Sequence, residues 1–261
     1  MKFRILFFVC IIIFPVSLLA QISGSSTPKD ISAKRGSRAS KAKISTRITL
    51  GGNYQTGNTE KAAVSGSAYL ASVDSIKEFS ANAKYTYGEN NKKLNQKEYM
   101  AGIQYDYHPL SRFSPFVRVE FYKNEFKKIN GRYSGLLGAK YRYLVKDDVM
   151  DYSISAALVY DLENYTNNAS LPDRERLRLS IRPKFKQQLM DNIHLLAEIY
   201  YKPNLAEFDD YIVYATFNLN FRMNKYVFLR ASYEYDYDSK PATATVKKTD
   251  TLLLASLGVE W

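Results

Sequence analysis

The sequence predicts an all-β fold, a transmembrane antiparallel up-and-down β-barrel of about twelve strands. Three observations carry this. From Ile44 onward the chain falls into twelve runs that alternate residue by residue between apolar and polar, the period of a strand with two unlike faces. The connections alternate between short turns and longer polar loops, as in a barrel whose two rims differ. The last run, Thr249 to Trp261, ends on an aromatic with apolar residues at every second position before it. A closed barrel pairs such a strand with the first one instead of leaving an open edge.

Taken in order, Met1 to Ala20 has the form of a secretory signal peptide. Lys2 and Arg4 precede the apolar run Ile5 to Phe14, and Leu18-Leu19-Ala20 precedes an expected cleavage site before Gln21. The apolar run is too short, and Pro15 follows too soon, for a transmembrane anchor. Gln21 to Lys43 is rich in Ser, Lys, Arg and Ala without periodicity, and is expected to be a disordered, basic periplasmic tail. The barrel is expected to occupy residues 44–261 as one domain.

The twelve predicted strands run Ile44 to Thr56, Glu60 to Val73, Ile76 to Gly88, Gln96 to His108, Phe113 to Lys127, Arg132 to Val145, Met150 to Glu163, Arg174 to Leu189, Ile193 to Lys202, Asp209 to Arg222, Tyr226 to Asp238 and Thr249 to Trp261. Each is long enough to cross a bilayer as a tilted strand, for which about 9 to 11 residues suffice. Short turns such as Asp74-Ser75, Pro109 to Arg112 and Met223 to Lys225 alternate with loops such as Asn164 to Asp173 and Ser239 to Lys248. Two links in the loop register, Gly57 to Thr59 and Lys128 to Gly131, are themselves brief. An even strand number leaves both termini in the periplasm.

Periodicity alone does not separate a membrane barrel from a soluble sandwich or lipocalin, because only the direction of the apolar face differs. The aromatics decide. The chain holds 22 Tyr and 14 Phe against one Trp, and on the apolar faces they gather at strand ends. Tyr105, Tyr107, Tyr141, Tyr143, Phe185, Phe221 and Trp261 fall toward one rim, and Tyr133, Tyr160, Tyr201, Tyr211, Tyr235 and Tyr237 toward the other. Two girdles around an aliphatic and Ala-rich band are the interface pattern of a membrane barrel.

Two resemblances follow from these residues. Leu253, Leu257, Val259 and Trp261 form a C-terminal pattern similar to the signal of bacterial outer-membrane proteins, which implies recognition by the barrel assembly machinery. The segment Gly51 to Glu60, GGNYQTGNTE, with the strand train to Trp261, resembles the YdiY-like family of salt-induced outer-membrane proteins, domain-of-unknown-function family 481. That resemblance implies a barrel in the outer membrane of a Gram-negative cell, without an established activity.

The residues that bear chemistry are few. The only Cys is Cys10, within the expected signal peptide, which excludes disulfides and thiol chemistry from the mature chain. His108 and His194 are both expected at turns on different hairpins, so neither a Ser-His hydrolase nor a zinc site is expected. No catalytic residue, metal or cofactor is assigned. The formal charge of +11 calls for an anionic partner. Export favours outer-membrane lipid and lipopolysaccharide over nucleic acid. Lys92, Lys93, Lys97, Lys127, Lys128, Lys247 and Lys248 are expected at the outer rim, solvated or facing lipopolysaccharide phosphates.

The most informative inward set lies on the eighth run, where Arg176, Arg178, Arg182, Lys184 and Lys186 form a lumen-facing basic ladder. It serves either as a track for anions in a narrow passive channel or as one half of an internal ion-pair plug. The carboxylates of that plug would be Asp151, Asp161 and Glu198, with Glu98, Asp106, Glu120, Glu234 and Asp236 on other inward faces. A channel for small polar or anionic solutes is the first expectation. A non-transporting structural or envelope-stress barrel is the second, and an outer-membrane lipid hydrolase is disfavoured for want of a paired Ser and His.

Overall fold

The computed structural model describes residues 43–55, 61–90, 93–146, 149–165, 172–244 and 246–261. The expected signal peptide, all but the last residue of the expected tail, and residues 56–60 of the GGNYQTGNTE segment lie outside the described residues. The strands are β1 (Lys43–Gln55), β2 (Lys61–Val73), β3 (Lys77–Asn90), β4 (Lys93–Tyr107), β5 (Phe113–Asn124), β6 (Ile129–Lys146), β7 (Met150–Tyr165), β8 (Arg174–Met190), β9 (Ile193–Pro203), β10 (Tyr211–Arg222), β11 (Val227–Asp238) and β12 (Thr249–Glu260).

They form a closed barrel in which every strand pairs with its chain neighbours and β12 pairs with β1. The closing ladder runs antiparallel from Arg47 opposite Glu260 to Gly52 opposite Ala255. Thr46 and Trp261 then exchange two backbone hydrogen bonds of 2.9 and 3.0 Å. The terminal aromatic thus lies at the seam, where pairing leaves no free edge.

The direction of the two faces is the inverse of a soluble core. Leu50, Leu137, Leu158, Leu253 and Val119 are exposed on the outside, whereas Arg47, Glu98, Asp106, Arg178 and Glu198 are buried inside. Exposed Tyr105, Tyr107, Tyr141, Tyr143 and Trp261 ring the rim that carries the short turns. At the opposite rim Tyr211 meets Tyr201 and Tyr237, with ring centroids 5.8 and 5.6 Å apart. An apolar, girdled exterior around a polar interior is what a bilayer requires of strands that cross it.

Two places depart from the sequence reading or from a regular ladder. The β5–β6 turn lies at Glu125 to Lys128, three residues earlier than the expected Lys128 to Gly131. Asn124 is the cause: its Oδ1 accepts from the N–H groups of Phe126 and Lys127 at 3.0 and 2.9 Å. Lys128 then takes φ 62°, so the Asx turn closes here and Asn130-Gly131 continues into the strand. In β8 the ladder to β9 is interrupted around Pro183, which has no N–H to donate.

Candidate functional site in the barrel lumen

The alternation of β8 puts Arg176, Arg178, Arg182, Lys184 and Lys186 on the inner face, and neighbouring elements divide them among partners. Arg178 is the centre. It is 2% exposed; Nη2 donates to Asp210 at 2.9 Å, and Nη1 donates to the carbonyls of Lys202 and Asp210 at 3.1 Å. Its Nε stands 3.3 Å from Asp161. Arg176 pairs with Asp210 at 2.7 Å and with Glu163 at 3.4 Å. Arg182 donates to Ser155 Oγ at 3.0 Å and to the Tyr200 hydroxyl at 3.1 Å. Lys184 pairs with Glu198 at 3.0 Å. Lys186 lies opposite Asp151 in the β7–β8 register, and Asp151 is paired with Arg142 at 3.6 Å. Arg176, Arg178, Arg182 and Lys184 are thus matched to carboxylates and hydroxyls on the adjacent strands and in the β9–β10 connection.

Other pairs cross the interior. Lys84 on β3 donates to both oxygens of Glu234 on β11 at 2.9 and 3.0 Å. Lys127, expected at the solvated outer rim, is instead buried in the mouth of the barrel, 3.0 Å from Asp250 on β12 and 3.6 Å from Asp236 on β11. The Asn124 turn is what aims it inward. Burial works against a charged Lys127, but facing Asp236 and Asp250 outweigh it and raise its pKa above the ordinary value. For Asp210, in the β9–β10 connection, burial pushes the carboxyl up. The hydrogen bond and charge of Arg178, with Arg176, more than reverse that and hold it below the ordinary carboxylate range.

At the same rim sits an apolar cluster that the sequence reading missed. Met100, Tyr122, Ile129 and Tyr165 pack together inside the barrel, and Ala242 of the β11–β12 loop packs against them. Val246 of the same loop is buried too. The signal was available as apolar residues in the polar register, at Met100 and Tyr122. On the lower wall Arg118 pairs with Glu120, and Lys140 lies 3.4 Å from Asp106.

His108 occupies the β4–β5 turn at φ 47°, its ring edge-on to Tyr107 at 4.1 Å. His194 is an inward residue near the start of β9, opposite Gln188 and Asn220. The two are on separate hairpins. Leu253, Leu257, Val259 and Trp261 are all exposed on the outer surface. Among the described residues, no group of three or more His, Cys, Asp or Glu side chains is placed to hold a metal ion.

A closed antiparallel ring with an apolar exterior, two aromatic girdles and a charge-paired interior defines an outer-membrane-type β-barrel. The family model described as "Protein of unknown function, DUF481" matches residues 48–261, and the chain belongs to that family. Among solved structures, the chain is similar to the NanC porin, at 11% identity over 82% of this chain and 97% of that one, with a TM-score of 0.48. It is similar to the KdgM porin at 13% identity, over 83% and 98% of the two chains, with a TM-score of 0.44. The translocator domain of the autotransporter NalP from Neisseria meningitidis matches at 15% identity, over 85% and 88%, with a TM-score of 0.43. Comparison with curated proteins finds no match.

Proposed function

We propose that this chain is an outer-membrane barrel whose lumen is closed at rest by its own charges, and that it serves the envelope as a non-transporting structural barrel. One observation carries the reading. Lys127 reaches from the β5–β6 turn to Asp236 and Asp250 on β11 and β12, six strands around a twelve-strand ring and therefore on the opposite wall. A cation held between facing walls obstructs the path along the axis, and the Met100–Tyr165 cluster stands beside it. Twelve strands enclose more room than the eight of a filled barrel and less than the open porins, so long inward Arg, Lys and Tyr side chains are able to meet across it.

In this reading the exterior contacts lipid and lipopolysaccharide, the chain is exported through a cleaved signal peptide, and both termini lie in the periplasm. Leu253, Leu257, Val259 and Trp261 are the contacts for the assembly machinery. His108 and His194, on separate hairpins, give no support to an enzymatic role.

The second reading, a narrow passive channel for small polar or anionic solutes, takes the basic ladder of β8 as its track and is favoured by the partial exposure of some charged side chains in the lumen. Toward the short-turn rim the side chains of Lys184 and Asp151 are each 19% exposed and that of Arg222 is 38% exposed, against 2% for Arg178.

Planar-bilayer recording of the refolded protein tests both. The expected result is a folded barrel without discrete conductance steps. Anion-favouring steps that lose their preference after combined Arg178→Glu, Arg182→Glu and Lys184→Glu would refute the closed barrel and establish the channel.

A further inference from the structure

A second buried site lies away from the ladder, against the seam of the barrel. Arg47, Thr49, Ser67, Tyr69, Asn82 and Arg230 line a cavity with about 10 Å³ of room for the centre of a water-sized guest, enough for one small particle. Each of these six side chains carries an N–H or O–H, and no carboxylate lines the cavity. We propose that it is a binding site for a single small inorganic anion of the chloride class.

Asn82 supplies the sharpest observation. It is 9% exposed, and its Oδ1 accepts from Arg118 Nη2 at 3.2 Å. That bond fixes which way the amide points. The Nδ2 group is left buried without a hydrogen-bond partner, which is costly wherever a donor stays unsatisfied. A guest that accepts hydrogen bonds removes that cost.

The charges are arranged for the same guest. The guanidinium carbons of Arg47 and Arg230 each lie 5.2 Å from the centre of one ring, Phe228. That ring occupies space that exists only because residue 258 is glycine, since a Cβ there would fall 2.0 Å from Phe228 Cζ. Arg47 is held by Glu260 at 2.7 Å, and Arg230 Nε donates to Asn220 Oδ1 at 2.6 Å. Glu260 already offsets much of the Arg47 charge, and the second guanidinium, Arg230, adds the positive potential that an anion beside the amide would meet. Burying an ion is costly unless charge and hydrogen bonds compensate, and this lining offers both. The site is independent of whether the lumen conducts.

The test is thermal unfolding of the refolded protein in chloride against gluconate, at equal ionic strength with the same cation. Chloride is expected to raise the midpoint saturably in the wild-type protein, as a ligand specific to the folded state does. Asn82→Asp, which puts a carboxylate against the cavity, is expected to abolish the increment. Should that variant fail to fold, Thr49→Val removes one donor and is expected to weaken it. Crystals grown with bromide should show an anomalous peak between Arg47 and Arg230. Identical midpoints in the two anions would overturn the proposal, since the cavity would then hold water. So would a bromide peak without any effect of chloride in solution, which is binding at crystal concentration only.

Discussion

Replacing Arg178 with methionine removes a charge buried between β7 and the β9–β10 connection while keeping most of the stem. The side chain is 2% exposed and stands between two carboxylates, Asp210 at 2.9 Å and Asp161 at 3.3 Å. Both would be left in the interior without it, together with the carbonyls of Lys202 and Asp210 that Nη1 now serves. Removing one partner of a buried pair costs about 3–5 kcal/mol. Arg176 remains 2.7 Å from Asp210, and the Ser134 hydroxyl donates to Asp161 at 2.5 Å, so the low end, about 3 kcal/mol, is expected. The assay is urea unfolding in lipid vesicles, followed through the fluorescence of Trp261, the chain's one tryptophan. Adding Asp210→Asn and Asp161→Asn to Arg178→Met should recover a large part of the loss. A change within about 0.5 kcal/mol, the scale of an ordinary surface substitution, would refute the reasoning, because Arg178 would then be solvated and the lumen open around it.

Leu158→Lys, near the middle of the outer face of β7, should destabilise the inserted barrel by about 2–4 kcal/mol; unchanged folding into vesicles would mean that this face does not meet lipid. Gly258→Ala drives a Cβ into the Phe228 ring and should cost about 1–3 kcal/mol, with Phe228→Leu as the compensating change in the same unfolding assay. Lys127→Gln leaves Asp236 and Asp250 without the cation that spans the mouth, and should turn a silent barrel into one with measurable steps in planar bilayers. Asp210 has a folded-state pKa held below its ordinary value of 3.8, so its stabilisation is fully present above that value and is lost as pH falls toward the folded one. Acid unfolding should steepen below pH 3.8, and Asp210→Asn should flatten that part of the curve.

The ring of strands was legible because a bilayer imposes one rule on every strand. The run read as Met150 to Glu163 is β7 at Met150–Tyr165, and the run read as Thr249 to Trp261 is β12 with Trp261 at the seam. The same period put the five cations of β8 on the inner face. What it could not supply was distance across the lumen. Alternation fixes which side of the sheet a residue faces and says nothing about which strand stands opposite, so Lys84 with Glu234, or Arg178 with Asp210, could not be read as pairs. Lys127 was misplaced for a local reason. KNEFKKING offers both an Asx turn at Asn124 and an Asn-Gly turn at Asn130-Gly131, and the first one wins. The three-residue shift moves Lys127 from a strand end at the solvated rim to a turn aimed into the barrel.

The interior of this protein replaces an apolar core by a network of charges and hydroxyls, and that substitution has its own logic. A barrel in a bilayer gains little by hiding apolar side chains inside, since lipid already accommodates them outside. Its inward residues are free to be polar, provided that each finds a partner in a medium where an unmet charge is costly. Partners on adjacent strands, such as Lys184 with Glu198, hold the wall together. Partners on opposite strands, such as Lys127 with Asp250, hold the walls to each other. Only the second kind stands across the path along the axis. The proposed closure therefore rests on the few contacts that span the lumen, and the long basic ladder, for all its prominence in the sequence, serves mainly the wall.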